Sequence, residues 1–293
     1  MKELYGAGVA LVTPFHTDGT VDYDALAQLI EHQIKGGADY LVSLGTTGET
    51  ATLTADERKT VWQFTAEKAD GRIPLVAGIG GNNTAEALHQ LETFDTSGYS
   101  AILSVSPYYN KPTQEGIYQH YKAIATASPL PIILYNVPGR TSSNVSAETT
   151  VRLAREVPNI VGTKEASGSI DQFSRIMRDK PEDFLLISGD DPATLPMMAL
   201  GAVGVISVVG NAFPAAVATL TRLCLEGNYQ DARTIHSKLL RITELCFAEG
   251  NPTGVKAILA RMGICGTRVR LPLVEASEQL VASIDRELEQ VEN

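Results

Sequence analysis

Short apolar runs alternate with longer amphipathic ones along the chain, and the two periodicities predict different elements. Runs rich in Val, Ile and Leu, bounded by Gly, Pro and polar turn residues, read as buried strands. Eight occur: 8–15 (GVALVTPF), 40–45 (YLVSLG), 73–80 (IPLVAGIG), 99–107 (YSAILSVSP), 131–138 (PIILYNVP), 160–164 (IVGTK), 183–189 (DFLLISG) and 202–209 (AVGVISVV). Between them apolar positions recur at helical spacing, over 21–35, 54–68, 84–95, 113–127, 146–156, 169–178, 192–200 and 215–226. Asp22, Thr54 and Ser146 stand where N-caps belong. Thr54 and Glu57 have the spacing of a capping box, and Gly36-Gly37 closes the first helix.

Strand then helix, eight times at a period of roughly 25–30 residues, is the rhythm of a (β/α)8 TIM barrel. An open doubly wound sheet is the competing α/β fold, but no GxGxxG follows the first strand. After about residue 213 the strand pattern stops, and 231–247, 252–262 and 272–290 read as helices. The division is therefore a barrel catalytic domain over 1–226 and a C-terminal helical segment over 227–293. The latter is expected to serve as scaffold or oligomer contact rather than in catalysis.

Composition narrows the function. A net charge of −10 argues against nucleic acid or an anionic membrane as partner, and an anionic substrate then needs local positive charge at its site. No apolar run reaches the ~18 residues of a membrane span, and the N-terminus lacks a signal-peptide layout. Cys224, Cys246 and Cys265 have no CxxC spacing and lie in helical-looking sequence, as expected of reduced, buried thiols in a cytoplasmic protein. The five histidines have no metal-ligand spacing, so no metal is expected.

Barrels of this type carry their chemistry at the C-terminal ends of the strands. There the chain places Gly45-Thr46-Thr47-Gly48-Glu49, Tyr108-Tyr109, Tyr135-Asn136, Arg140, Lys164, Gly189-Asp190-Asp191 and Ile206-Ser207. Strand alternation puts Ile160, Gly162 and Lys164 on one face and Glu165 on the other, which excludes Glu165 as the base. A lysine is a nucleophile only when neutral, and apolar surroundings favour the neutral amine. Such an amine adds to a ketone to form an iminium, an electron sink that lets the adjacent carbon lose a proton. Tyr135, inward on the neighbouring strand, is placed to move protons. Thr46-Thr47 between glycines offers hydroxyls and N–H groups to a carboxylate, and Arg140 offers a fork to a second one. One amine and two anion sites point to condensation of a 2-keto acid with another carboxylated partner. Taken singly, GTTGE is equally compatible with a turn before a cap, Tyr108-Tyr109 with rim packing and Arg140 with a surface cation. Asp190-Asp191 before Pro192 reads as a helix cap.

Five motifs in order, GTTGE (45–49), SPYYNKPTQEG (106–116), YNVPGRT (135–141), GTKEASG (162–168) and SGDD (188–191), resemble the dihydrodipicolinate synthase / N-acetylneuraminate lyase family, and the resemblance covers essentially the whole chain. It implies a Schiff base between Lys164 and pyruvate with no cofactor, and a proton relay of Tyr135, Thr46 and Tyr109, the last entering a neighbouring subunit's site. It implies that Thr47 holds the pyruvate carboxylate, that Arg140 binds L-aspartate 4-semialdehyde, and that backbone at Gly189 and Ile206 lines the site. It also implies 4-hydroxy-tetrahydrodipicolinate as product, in the diaminopimelate route to lysine, and a homotetramer built as a dimer of dimers. The alternative within the family is another Schiff-base pyruvate aldolase, an N-acetylneuraminate or 2-keto-3-deoxy sugar acid lyase; Arg140 in YNVPGRT favours the synthase branch. A third reading, an inactive barrel that only binds, is disfavoured because Lys164 and Tyr135 are both present. Asn82, Glu86 and Tyr108 match a lysine-effector site. Ala55 and Arg58 stand where sensitive members carry histidines, so weak or absent lysine inhibition is expected.

Overall fold

The computed structural model describes residues 1–291. Eight parallel strands close into one barrel in chain order, the last returning to the first. The order is β1 (Gly6–Ala10), α1 (Tyr23–Lys35), β2 (Tyr40–Ser43), α2 (Ala55–Ala69), β3 (Leu75–Gly78), α3 (Thr84–Thr93), β4 (Ala101–Val105), α4 (Gln114–Ala127), β5 (Ile132–Asn136), a one-turn α5 (Pro138–Thr141), α6 (Ala147–Glu156), β6 (Ile160–Glu165), α7 (Ile170–Asp179), β7 (Leu185–Ser188), α8 (Thr194–Ala199), β8 (Gly204–Ser207) and α9 (Pro214–Leu225). Three further helices follow: α10 (Tyr229–Phe247), α11 (Thr253–Arg261) and α12 (Glu278–Val291). This is the (β/α)8 barrel with C-terminal helices that the alternation predicts. Most strands are shorter than their apolar runs, because those runs continue into the turns at the barrel mouth. The capping expectations hold: Asp22 and Ser146 each accept a first-turn N–H, and Thr54 and Glu57 form a reciprocal capping box; Ser169, read as the first residue of its helix, is instead its cap.

Two apolar layers hold the barrel. Inside it lie Tyr40, Val42, Val76, Leu103, Ile133, Tyr135, Leu185, Ile187 and Ile206; outside it Val9, Leu41, Ala77, Ile102, Ile132, Leu134 and Val205 face the helices. Tyr40 crosses the interior over Gly8 of β1, where an added Cβ would come within 2.2 Å of the ring. The glycine is there to admit the tyrosine.

The β5–β6 pairing carries an extra residue. Ile132 pairs with Ile160, but Ile133 pairs with Gly162, so Val161 is bulged. The expectation that Ile160 shares a face with Lys164 is therefore wrong: Ile160 packs in the helix-side layer. Past the bulge the phase is reset, and Gly162 and Lys164 run level with the inward Ile133 and Tyr135. Two smaller corrections lie in the C-terminal region. The last helix begins at Glu278 rather than near 272, because Ser277 takes the cap position, accepting from Leu280 N–H at 3.2 Å while its own N–H donates to Glu249. Cys265 lies past the end of α11 and is half-buried, whereas Cys224 and Cys246 are buried in helices.

The C-terminal helices do more than stack on the outside. Residues 251–259 are buried throughout, and among them is Lys256. Its Nζ donates to Glu49 Oε1 at 2.5 Å and to the Arg268 carbonyl at 2.8 Å, and lies 4.2 Å from the Phe15 ring centroid. Both members of the pair are essentially inaccessible to water. Burial pushes the Lys256 ammonium below its ordinary value, and Glu49 acts against that shift. Arg270 adds a second clasp. Its backbone N–H donates to Glu49 Oε2 at 2.9 Å, and its guanidinium reaches both Glu57 oxygens, at 2.5 and 2.8 Å, and the Gly19 and Thr52 carbonyls.

Removing one partner of a buried ion pair leaves the other charge unpaired, which costs about 3–5 kcal/mol. Lys256→Ala is expected to lose that much in urea unfolding, read as a lower midpoint at unchanged slope; a loss under 1 kcal/mol would refute the account. Glu57 gives a pH test. The Arg270 fork, with help from Thr54, holds its carboxyl down from 4.5 to about 2. A depressed carboxylate stabilises above its unfolded value and loses that effect as pH falls through its folded value. The gap in thermal midpoint between the wild type and Glu57→Gln is therefore expected to be full at pH 7 and to narrow steadily below about pH 4.5. A gap that stays constant down to pH 3 would contradict the assignment.

Candidate active site

Lys164 and Tyr135 sit level on adjacent strands at the barrel mouth, with Lys164 Nζ 4.4 Å from the tyrosine ring centroid. Only 5 % of Lys164 is exposed, so its side chain is enclosed in the barrel mouth rather than extended into solvent. Gly189, just past β7, makes the space: a Cβ there would fall 2.9 Å from Lys164 Cγ and 3.0 Å from Cε. Ile206, from β8, is buried in the inner layer. Glu165 points the other way and is fully buried. It accepts from Asn136 Nδ2, Gln172 Nε2 and the Ser167 N–H, which fixes the strand end carrying Lys164.

The GTTGE stretch forms a 3-10 turn, Thr46–Gly48, bracketed by left-handed Leu44 (φ 56) and Glu49 (φ 53). Non-glycine residues in that region are uncommon and strained, and persist where surrounding contacts over-determine them. Here they do. Thr50 Oγ1 donates to the Leu44 and Gly45 carbonyls at 2.6 and 2.9 Å, and Thr13 Oγ1 to the Gly48 carbonyl at 2.7 Å. Glu49 is held by Lys256 and Arg270. Thr47 is buried, and its Oγ1 accepts from Asn251 Nδ2 at 3.0 Å.

The other predicted residues fall in three places. Arg140 is exposed on the one-turn helix after β5. Tyr109 is 87 % exposed and so does not pack on Lys164 or Tyr135 of its own chain. It sits at φ 72 on a turn clamped by Asn82 and Asn110: Asn82 Nδ2 donates to the Tyr108 carbonyl at 3.1 Å, and Asn110 Nδ2 to the Asn82 carbonyl at 2.9 Å. Of the effector-site residues, Glu86 lines a cavity of about 250 Å³ between α2 and α3 together with Ala55 and Arg58, whereas Asn82 and Tyr108 meet each other outside it.

Asp191 corrects the capping expectation. α8 starts after Ala193 with no side-chain cap. The Asp191 carboxylate accepts instead from the Val208 and Val209 N–H groups at 2.9 and 3.2 Å, because the tight turn after β8 leaves those donors free. Burial pushes this carboxyl upward, against those hydrogen bonds, one from Ser207 and the charge of Lys164. Asn251 and Lys256 escaped the sequence reading altogether. The available signal was Lys256 itself, a lone lysine in an otherwise apolar run, TGVKAILA. Among the described residues no cluster of three or more His, Cys, Asp or Glu is arranged to hold a metal, and no helix is long and apolar enough to cross a membrane.

Comparison with known proteins gives a consistent result. The profile of the dihydrodipicolinate synthetase family matches residues 3–291. A relative from Parabacteroides distasonis, a 4-hydroxy-tetrahydrodipicolinate synthase, is 55% identical over 271 residues, 92% of this chain and 91% of its own. Among solved structures, dihydrodipicolinate synthase from Aquifex aeolicus superposes with a TM-score of 0.96 at 44% identity, covering 99% of this chain and 98% of the other. The chloride-inhibited dihydrodipicolinate synthase from Acinetobacter baumannii, complexed with pyruvate, superposes with a TM-score of 0.96 at 42% identity and 99% coverage of both.

Proposed function

The chain belongs to the dihydrodipicolinate synthetase family, and from that premise we propose that it condenses pyruvate with L-aspartate 4-semialdehyde to give 4-hydroxy-tetrahydrodipicolinate, on the diaminopimelate route to lysine. The observation that carries the reading is Lys164, an almost fully buried lysine at a barrel strand end, level with Tyr135 and given room by Gly189.

The Lys164 amine adds to the pyruvate ketone, and loss of water gives the Schiff base. No cofactor takes part, because the imine is itself the electron sink. Tyr135, Thr46 and a neighbouring subunit's Tyr109 relay the protons that the carbinolamine sheds and takes up. Thr47 binds the pyruvate carboxylate, with backbone near Gly189 and Ile206 closing the pocket. A methyl proton leaves, and the enamine carbon attacks the aldehyde. The amine of the semialdehyde moiety then displaces Lys164 and closes the ring, returning the lysine to its free form. Arg140 holds the semialdehyde carboxylate through its fork.

The assembly in this reading is a homotetramer, a dimer of dimers, in which Tyr109 reaches across. Its 87 % exposure on a clamped turn supports such a role, since the turn is held from below while the ring stays bare. The three free cysteines support a reducing compartment, the cytoplasm. Lysine inhibition is weak or absent: Arg58 brings a cation to the cavity that Glu86 lines, and a bound lysine would meet its repulsion.

Borohydride reduction in the presence of pyruvate is expected to leave one adduct, on Lys164, when the protein is digested and mass-mapped; an adduct elsewhere would sink the mechanism. Losing a charged hydrogen-bond partner costs about 1.5–3 kcal/mol. Arg140→Ala should accordingly raise KM for the semialdehyde on the order of ten- to a hundredfold while leaving the pyruvate adduct intact. An unchanged KM for the semialdehyde would show that Arg140 is not the second anion site. Steady-state assays with added lysine should show no inhibition below millimolar concentration.

A further inference from the structure

We infer that Asn251, from the C-terminal segment, is a positioning residue for the pyruvate-binding loop, and that it acts by setting the direction of the Thr47 hydroxyl. The inference rests on the reading of Thr46-Thr47 as the carboxylate site. A threonine hydroxyl has one hydrogen and two acceptor lone pairs. Asn251 Nδ2 donates to Thr47 Oγ1 at 3.0 Å and so occupies an acceptor position. The Thr47 hydrogen is thereby left to donate elsewhere, which a carboxylate requires, since an ionised carboxylate only accepts.

Three observations support a role beyond packing. Asn251 is 6 % exposed, yet its Oδ1 has no hydrogen-bond partner among the described residues. A buried asparagine kept for stability alone would be expected to pair both ends of its amide; here only the end that faces Thr47 is used. Second, the same segment holds the loop again two residues on, where Glu49 takes Lys256 on one oxygen and the Arg270 N–H on the other. Third, Glu49 and Leu44, on either side of the turn, are both left-handed, and the contacts that hold Glu49 so come from the C-terminal segment. Residues 251, 256 and 270 thus fix residues 47 and 49 of a barrel loop some two hundred positions earlier.

The test is Asn251→Asp, which keeps the shape and replaces the donor by an acceptor. The Thr47 hydrogen then turns to the introduced carboxylate, and a second negative charge faces the substrate. Pyruvate KM is expected to rise at least about tenfold, a 1.4 kcal/mol effect, while KM for the semialdehyde stays within about twofold and the protein stays folded by circular dichroism. Thr47→Val should carry a similar pyruvate penalty, and the double variant should be no worse than the poorer single one, because the two residues act through one contact. Pyruvate KM within twofold of wild type in Asn251→Asp, or penalties that multiply in the double variant, would overturn the inference. Should Asn251→Asp not fold, Asn251→Ala removes the donor without adding charge, and the same rise or its absence decides. Borohydride trapping on the wild type separates this from the larger reading: no pyruvate adduct at Lys164 overturns both, whereas a normal adduct with an unaltered pyruvate KM in the variants overturns only the role of Asn251.

Discussion

A strand offers a side chain only two faces, and one extra residue decides which of them Lys164 takes. Without the bulge at Val161, Lys164 would run out of phase with Tyr135 and point into the helix layer, where Glu165 now lies. With it, the lysine enters the barrel, Glu165 turns outward into a closed set of hydrogen bonds, and Gly189 supplies the space for the aliphatic stem. The arrangement of the mouth follows from that phase, which sets Lys164 beside the Tyr135 ring.

The second dependence is electrostatic. A lysine and a glutamate buried together contribute little net stability compared with apolar residues of equal size, since both must be stripped of water. What such a pair does supply is geometry, because each charge has few acceptable positions. Each Glu49 carboxylate oxygen accepts one hydrogen bond, from Lys256 of α11 and from the Arg270 N–H, and its strained backbone conformation persists on that account. The C-terminal helices therefore belong to the barrel mouth as much as to its outer wall, which enlarges their expected part as scaffold.

Most of the architecture was legible in the chain. Eight apolar runs with capped helices between them leave few alternatives, and the caps at Asp22, Thr54 and Ser146 were readable because capping is local. The residues at strand ends were legible through the same regularity, since a parallel barrel gathers them on one face. What could not be read depends on contacts between distant positions. The bulge at Val161 shows only in the pairing of β6 with β5, and strict alternation mis-assigned Ile160 for that reason. Asp191 looked like a cap because a carboxylate before a proline often is one; its true donors belong to a turn seventeen residues on. Lys256 lies in a helical run whose apolar neighbours concealed it, Asn251 in the turn just before that helix, and no local rule links them to Thr47 and Glu49.

The contact between Thr47 and Asn251 joins positions 204 residues apart in the chain. On a ribosome adding about 5–20 residues per second, the threonine emerges about 10–40 s before the asparagine that orients it. Over that interval the loop at the mouth lacks its outside supports, and the barrel lacks core side chains that α10 and α11 bring, Leu239, Ile242, Val255 and Ile258 among them. The mouth of the barrel is thus set late in the birth of the molecule, after the barrel's own strands have been made, and a chain released early would lack both the supports of its loop and part of its core.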